Sequence, residues 1–253
     1  MIYGLYLSAM GVLTHSNRQD VIANNLANAE TVGFKRDLAL FREQFTEARL
    51  RSLNVSSRSN PALEAMGGGL AYAPTYTDLS QGELETTGNP LDVAIDGKGF
   101  FAVRDGTETR LTRDGRFTRD REGYLVTSVG ARRILDGKGQ PIKLGTGPVS
   151  IAKDGTITES GQSVGTIGLF DVPKPEALVK RGAGLLGGAD LDRNLRPASG
   201  QIQGGALERT NVEPSTELAA LMDTQRQLEA NANMIRFQDQ TLSRLVNDVA
   251  KIG

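Results

Sequence analysis

Three short stretches of the sequence have residue types that could carry chemistry. The first, residues 161–165 (GQSVG), has the spacing of a nucleophile elbow, a tight strand-to-helix turn whose serine attacks an acyl carbon. The serine of such a site needs a histidine, later in the chain, to accept its proton. The only histidine of this chain, His15, lies upstream in a predicted helix. We therefore interpret residues 161–165 as a turn between strands, and His15 as a surface or packing residue.

Two further stretches have the glycine or acidic spacing of a binding loop. Residues 182–187 (GAGLLG) spell the glycine pattern of a dinucleotide-binding loop, which requires a strand before it and a helix after it. The flanking sequences predict neither, so we expect a loop there. Asp190, Asp192 and Asn194 have the first spacings of a calcium loop but lack its glycine and its distal glutamate. The sequence therefore predicts no catalytic residue, no cofactor and no metal site.

The composition excludes several classes of function. The 253 residues include no cysteine, which excludes disulfides, thiolate catalysis and cysteine-ligated metals. The net charge is −1 and the basic residues are scattered, so we expect neither nucleic acid nor anionic lipid as a partner, and no motif indicates a small-molecule substrate. No apolar run approaches the roughly 20 residues of a membrane span. The first twenty residues lack the features of a cleaved signal peptide, so we expect any export to use another route.

Each end of the chain shows the three- and four-residue spacing of an amphipathic helix. The N-terminal stripe comprises Ile2, Leu5, Ala9, Val12, Ser16, Gln19, Ala23 and Leu26. The C-terminal stripe comprises Leu218, Leu221, Gln225, Leu228, Ala232, Ile235, Asp239, Leu242, Val246 and Val249. Because a long stripe of this kind cannot bury itself, we expect the two helices to pack together and against neighbouring copies, with the polar members of the stripes fixing the register.

Between the helices the sequence changes to short alternating strands separated by acid-glycine turns. Leu91, Val93 and Ile95 alternate with polar or small residues, and Asp-Gly or Glu-Gly pairs then recur through the next segments. We expect an α+β fold with a central all-β domain of short strands. The predicted divisions are an N-terminal helix and turn at 1–45, a connector at 46–79, the β domain at 80–203 and the C-terminal helix at 204–253.

Three asparagines lie near the end of the N-terminal helix, in the stretch VIANNLANAETVGFKR. Asn28 can cap the helix or adopt a left-handed conformation, and we expect Gly33 to have positive φ and Phe34 to anchor the turn. For Asn24 and Asn25 two interpretations stay open. They are either a frayed helix end, or their amides bond to neighbouring subunits.

Three stretches together resemble the family of bacterial flagellar rod and hook proteins. SAMGVLTHSNRQDVIANNLANAETVGFKR resembles the family's N-terminal signature. TTGNPLDVAIDGKGFFAV, with the following LTRDGRFTRDREGYLVTSVG, resembles its central β segment, and GALERTNVEPSTELAALMDTQRQLEANANMI its C-terminal segment. The resemblance covers about residues 1–45, 80–135 and 204–250, and residues 140–200 match loosely.

The resemblance implies a structural subunit of the flagellar rod, which is exported through the flagellar channel and spans the periplasm within the basal body. The implied fold is a coiled-coil inner layer of both terminal helices with the β domain outside. The implied partners are copies of itself, other flagellar rod and axial proteins and the export apparatus. MIYGLYLSAMG and VGTIGLFDVPKPEALVKRGAGLL favour a proximal over a distal rod position. The alternatives are a distal rod or other axial subunit, or a secreted β-rich surface protein.

The residues that we expect at the assembly interface lie in the two helices and in the turn after the first. They are Leu5, Ala9, Val12, Asn24, Asn25, Leu26, Asn28, Gly33, Phe34, Leu218, Leu221, Gln225, Leu228, Ala232, Ile235, Leu242, Val246 and Val249.

Overall fold

A computed structural model of the chain describes residues 2–43, 69–188 and 191–250. The helices are α1 (Ile2–Ala27), the one-turn α2 (Leu191–Asn194) and α3 (Pro214–Ala250), with a 3-10 turn at Pro175–Ala177. The strands are β1 (Asp37–Glu43), β2 (Leu70–Thr77), β3 (Leu84–Thr86), β4 (Val93–Asp96), β5 (Phe100–Asp105), β6 (Glu108–Thr112), β7 (Phe117–Arg119), β8 (Leu125–Thr127), β9 (Arg133–Ile134), β10 (Val149–Ile151), β11 (Thr156–Glu159), β12 (Gln162–Thr166), β13 (Leu169–Asp171), β14 (Val179–Lys180), β15 (Leu185–Gly187), β16 (Arg196–Pro197), β17 (Gln201–Gly204) and β18 (Ala206–Glu208). The predicted α+β class, with a helix at each end and a β-rich centre, is confirmed.

The chain forms two compact units. We call the first the helical unit; it comprises Met1–Ala27, Asp37–Tyr76 and Glu213–Gly253. We call the second the β unit; it comprises Asn28–Arg36 and Thr77–Val212. The turn after α1, Asn28–Arg36, is part of the β unit.

In the helical unit, α1 and α3 pack against each other and run antiparallel. Gly4, near the start of α1, lies against Gln238 near the end of α3, and Asn25 at the end of α1 lies against Glu217 at the start of α3. No helix among residues 2–43, 69–188 and 191–250 is long and apolar enough to cross a membrane.

The helical unit also contains a two-stranded sheet of β1 and β2. The ring of Phe41 on β1 packs edge-on to that of Tyr72 on β2, with 6.5 Å between centroids. Strand β2 lies in a stretch that the sequence analysis assigned to a connector. The tyrosines and threonines of LAYAPTYT favour a strand, and the open edge of a two-stranded sheet tolerates its proline. Residues 44–68 of the predicted connector lie outside the described residues.

The β unit is built on a nine-stranded antiparallel sheet whose main path is β14-β15-β6-β5-β9-β8-β7; off this path, β13 pairs with β5 and β16 pairs with β13. A three-stranded sheet of β10, β11 and β12 and the pairs β17-β4 and β18-β3 complete it. At residues 182–187 the prediction of a loop is partly wrong. Leu185 and Leu186 are buried and pair with β6, since two consecutive apolar side chains can fill both faces of a covered strand.

The apolar cores of the described residues all lie in the β unit. The larger core comprises Val93, Ile95, Phe101, Val103, Phe117, Leu125, Ile134, Ile142, Leu144, Ile157, Ile167, Leu185 and Ile202. A second core comprises Phe100, Ala102, Leu111, Leu135, Val172, Leu178, Leu186 and Leu191. A small third cluster, of Ala29, Phe34 and Val212, joins the two ends of the unit.

Candidate assembly interface

The face that α3 turns toward α1 is half apolar and half polar. Leu221, Leu228, Ile235 and Leu242 of the predicted stripe are partly buried. The other positions of this face, seven residues apart, are Glu217, Thr224, Asn231 and Gln238, of which Glu217 and Thr224 are fully buried. Every second residue of the predicted stripe therefore faces α1. The residues between them, such as Leu218 and Gln225, lie one position after the residues that face α1, here Glu217 and Thr224.

The remaining predicted positions of α3 lie on its flank or outer side. Leu218 is 50% exposed and Val246 67% exposed, Gln225 is exposed, and Ala232 is partly buried. The side chain of Val249 lies outside the described residues.

The buried face of α1 is also displaced by about one residue from the predicted stripe. Its most buried side chains are Ser8, Thr14, Ile22 and Asn25. The predicted Leu5, Ala9, Val12 and Leu26 are only partly buried. The displacement has a physical cause at two glycines, because Gly4 and Gly11 present bare backbone to α3 and let the helices approach on that side.

Most exposed large hydrophobic side chains of the described residues belong to the helical unit. In the β unit only Val129, Val164 and Val179 are in this class. Those of the helical unit are Tyr6, Leu7, Leu13, Leu40, Leu70, Tyr72, Tyr76, Leu218, Met222, Met234, Phe237, Leu245 and Val246. A unit with polar groups inside and apolar groups outside is typical of a subunit that is completed by association.

Asn25 makes its hydrogen bonds within its own chain. Its Nδ2 donates to the Asp37 carbonyl at 2.8 Å and its Oδ1 accepts from the Asp37 N–H at 2.9 Å, while Nδ2 also lies 3.4 Å from Glu217 Oε2. The residue is 1% exposed. The amide thus joins α1, the start of β1 and the start of α3. A contact of this residue with neighbouring subunits stays a prediction.

The other asparagines differ from Asn25. Asn24 has an exposed side chain. Asn28 follows the last residue of α1, and its carbonyl accepts from the Thr31 N–H at 3.0 Å. It does not adopt the left-handed conformation, which the turn uses only at Gly33.

Gly33 has φ +67°, which confirms the predicted left-handed conformation. It also has no room for a side chain, since an added Cβ would lie 2.5 Å from the backbone of Arg113 and Asp114. Its N–H donates to the Glu208 carbonyl at 2.8 Å. Phe34, the residue predicted to anchor the turn, is buried, and Lys180 Nζ lies 3.8 Å from its ring centroid.

A buried charge cluster beside this turn was not foreseen. Glu208 is 0% exposed, and its two oxygens accept from Lys35 Nζ at 2.5 Å and from Arg113 Nη1 at 2.9 Å. The Gly82 N–H also donates to Glu208, and Lys35 donates to the Ser80 carbonyl at 2.7 Å. Burial lowers the pKa of Lys35, although the charge of Glu208 opposes this effect. No sequence signal marked Glu208, since all three residues of β18 are buried and alternation along the strand does not single out one face.

Asn211 connects the segments at the ends of the β unit. Its Oδ1 accepts from the Arg36 N–H at 2.7 Å, and its Nδ2 lies within hydrogen-bond distance of the carbonyls of Asp78 and Ser80, at 3.0 and 3.2 Å. We call Gly33, Lys35, Arg113, Glu208 and Asn211 the junction. It fixes together the three segments through which the chain enters and leaves the β unit.

Comparisons with known proteins agree with this arrangement of ends and centre. Three family models match in order along the chain: the flagella basal body rod protein at residues 5–35, the flagellar hook protein FlgE/F/G D1 domain at 94–159, and the flagellar basal body rod FlgEFG protein C-terminal region at 203–248. The first match contains most of α1 and the turn with Gly33, and the last contains most of α3.

Full-length relatives give the same result. The chain is 36% identical to the flagellar basal-body rod protein FlgF of Caulobacter vibrioides, over 98% of this chain and 97% of the relative. It is 31% identical to FlgG of the same organism, over 94% and 96%, and 30% identical to FlgG of Bacillus subtilis, over 98% and 99%. Because these relatives match almost the whole chain at 30% identity or more, the chain belongs to the family of flagellar basal-body rod proteins.

Proposed function

We propose that the chain is a structural subunit of the bacterial flagellar rod, which self-assembles helically through its terminal helices and transmits torque across the cell envelope. The observation that carries the proposal is the apolar surface that the helical unit leaves exposed on α1, α3 and the β1-β2 sheet. The relatives are named basal-body rod proteins, which are structural proteins and not enzymes.

The proposal includes a coiled-coil inner layer made of α1 and α3. The seven-residue recurrence of Leu221, Leu228, Ile235 and Leu242 on the face turned to α1 supports it. Neighbouring copies would cover the outer residues, among them Leu218 and Val246. Other predicted interface residues, such as Leu5 and Val12, are partly buried in the single chain and have surface left for a neighbour.

Within the rod family we propose the FlgF type. Two rod proteins of Caulobacter vibrioides allow a comparison inside one organism, and the identity is 36% to FlgF and 31% to FlgG. The proximal position favoured by the sequence motifs is part of this proposal. Locating the tagged chain along intact basal bodies by electron microscopy tests it, and a label confined to the hook-side end of the rod would contradict it.

The proposed partners are further copies of the chain, other rod and axial proteins, and the flagellar export apparatus. The proposed location is the rod within the periplasm, reached through the export channel. Both proposals go beyond the names of the relatives, which mention only the basal body and its rod.

Sedimentation of the purified chain tests the structural role. We expect concentration-dependent self-association into tubes or short helical fragments that are visible by negative stain. A compact monomer at every concentration would contradict the proposal and favour the secreted β-rich surface protein.

A further inference from the structure

The contacts between α1 and α3 recur at intervals of seven residues along both helices. An added Cβ at Gly4 would lie 2.7 Å from Gln238 Nε2, and one at Gly11 would lie 2.7 Å from Asn231 Oδ1. Asn25, fourteen residues after Gly11, contacts Glu217, which is fourteen residues before Asn231. The same spacing brings Arg18 opposite the fully buried Thr224. The helices therefore meet in three observed layers, and the spacing predicts a fourth at Arg18 and Thr224; each layer has a polar side chain from α3.

Two of the layers place a side-chain amide directly on the backbone of a glycine. Asn231 is held there, because its Nδ2 donates to the Gln227 carbonyl at 2.9 Å and its Cγ lies only 2.9 Å from the Cβ position of Gly11. Gln238 is longer and more flexible, so its contact with Gly4 is the more adaptable of the two. Any side chain at position 11 would therefore have to displace an amide that is already hydrogen-bonded.

These layers distinguish one alignment of the helices from its neighbours. A slip of seven residues in one direction brings Asn231 opposite Arg18, and a slip in the other carries Gln238 beyond Gly4. In either slip one amide loses its glycine. Both slips also separate Glu217 from Asn25, whose amide is fixed by the backbone of Asp37. Apolar side chains alone would discriminate less, since Leu221, Leu228, Ile235 and Leu242 are similar in size and evenly spaced.

We propose that the Gly4–Gln238, Gly11–Asn231 and Asn25–Glu217 layers are a register lock, which pairs the terminal helices of one chain in a single antiparallel alignment. Gly11 and Asn231 are its main determinants. The inference deepens the proposed rod function and rests on it in one respect: the alignment decides which apolar side chains stay outside for neighbouring copies. The lock acts within one chain, so it can be tested apart from assembly.

Engineered cysteine pairs test the register, because the natural chain has no cysteine that could interfere. In the Gly11→Cys/Asn231→Cys variant, the new Sγ at 231 takes the place of an atom 2.9 Å from the Cβ position at 11, close enough for a disulfide without backbone movement. The mismatched controls, Gly4→Cys/Asn231→Cys and Gly11→Cys/Gln238→Cys, carry the same kinds of substitution one layer out of register. All three are oxidised as dilute full-length chains and followed on non-reducing gels.

We expect the matched pair to form an intrachain disulfide at least ten times faster than either mismatched pair. Equal rates, or disulfides that join two chains in dilute solution, would overturn the register lock. If these results came with normal tube formation by the natural chain, the rod function would stand and only the lock would fall.

Discussion

Gly33 combines two constraints that separate substitutions can distinguish. Its φ of +67° disfavours any side chain, and the backbone of Arg113 occupies the space that a Cβ would need. Gly106 has a similar φ of +64° but nothing within 4 Å of its Cβ position. It is therefore a matched control in which only the conformational strain is present.

We expect Gly106→Ala to lower the free energy of unfolding of the β unit by about 1 kcal/mol, the usual range for strain of this kind. Gly33→Ala should cost at least about 2 kcal/mol more, because overpacking adds to the strain. Urea unfolding of the purified variants measures both values. Equal decreases in the free energy of unfolding for Gly33→Ala and Gly106→Ala would mean that the backbone around Gly33 moves to make room for the new methyl group.

Glu208 neutralises two buried cations, Lys35 and Arg113. Glu208→Gln keeps the shape but leaves both charges buried without a carboxylate, so we expect a loss of about 3–5 kcal/mol of stability. Lys35→Met is the partner variant, in which Glu208 keeps Arg113 and the Gly82 N–H, and it should cost less. If Glu208→Gln unfolds at the same urea concentration as the natural chain, the cluster contributes no net stability.

His15 lies on α1 among groups that disfavour its charged form. Burial lowers its pKa first, the charge of Arg18 lowers it further, and Asp223 of α3 opposes them. Because the unfolded chain then binds a proton more readily than the folded one, the contribution of neutral His15 is complete above about pH 6.5 and is lost as the pH falls toward the folded pKa.

Since His15 is the only histidine, its ring signals can be titrated by NMR without assignment. We expect a midpoint below that of a histidine in an unfolded peptide. We also expect the protection factors of the α1 amides in hydrogen exchange to fall on acidification through this range in the natural chain but not in His15→Gln. A midpoint above 6.5 would show that Asp223 dominates and that acid strengthens the helix pair.

At the scale of elements, the sequence predicted which segments are helices and strands better than it predicted which face of each helix is buried. The three- and four-residue spacing gave both helices, and alternation with acid-glycine turns gave the β-rich centre. The buried face of α1 was missed because hydrophobic spacing follows the large residues, whereas Gly4 and Gly11 bring α3 to a face about one residue away. A stripe search cannot detect a contact that consists of backbone.

The junction was hidden for a different reason. The positive φ of Gly33 was predicted from local turn chemistry and is confirmed. Phe34, which was predicted to anchor the turn, is buried. Lys35 and Glu208 are 173 positions apart, and no local pattern indicates that they meet. Strand β2 lies in the stretch that was assigned to a connector on its polar, glycine- and serine-bearing composition.

The helix pair offers a compensation experiment at the same scale. Gly11→Ala adds a methyl group where the amide of Asn231 lies, so we expect hydrogen exchange across residues 2–27 to accelerate about tenfold, corresponding to about 1.4 kcal/mol. Adding Asn231→Ala removes the amide and should restore most of the protection. Leu13→Ala, at an exposed position of the same helix, controls for side-chain loss. Unchanged exchange in Gly11→Ala would refute close packing at this layer.

At the scale of the whole molecule, the two units differ in where their apolar side chains lie. The apolar cores lie in the β unit, while the helical unit buries polar layers and exposes large apolar side chains. In an isolated chain we therefore expect the β unit to have a larger free energy of unfolding than the helical unit. We expect the helices to gain stability when neighbouring copies cover their outer residues.

The central claim, that the exposed apolar surface of the helical unit joins rod subunits, is tested by Phe237→Asp. Phe237 is 66% exposed in the single chain, so the substitution spares the fold, but a carboxylate buried at a subunit contact costs several kcal/mol. Val179→Asp, at a 56% exposed position of the β unit, is the matched control. The measurement is the amount of each variant in purified basal bodies, relative to the amount exported. We predict that Phe237→Asp is incorporated at least tenfold less than the natural chain and Val179→Asp within twofold of it; normal incorporation of Phe237→Asp would contradict the account.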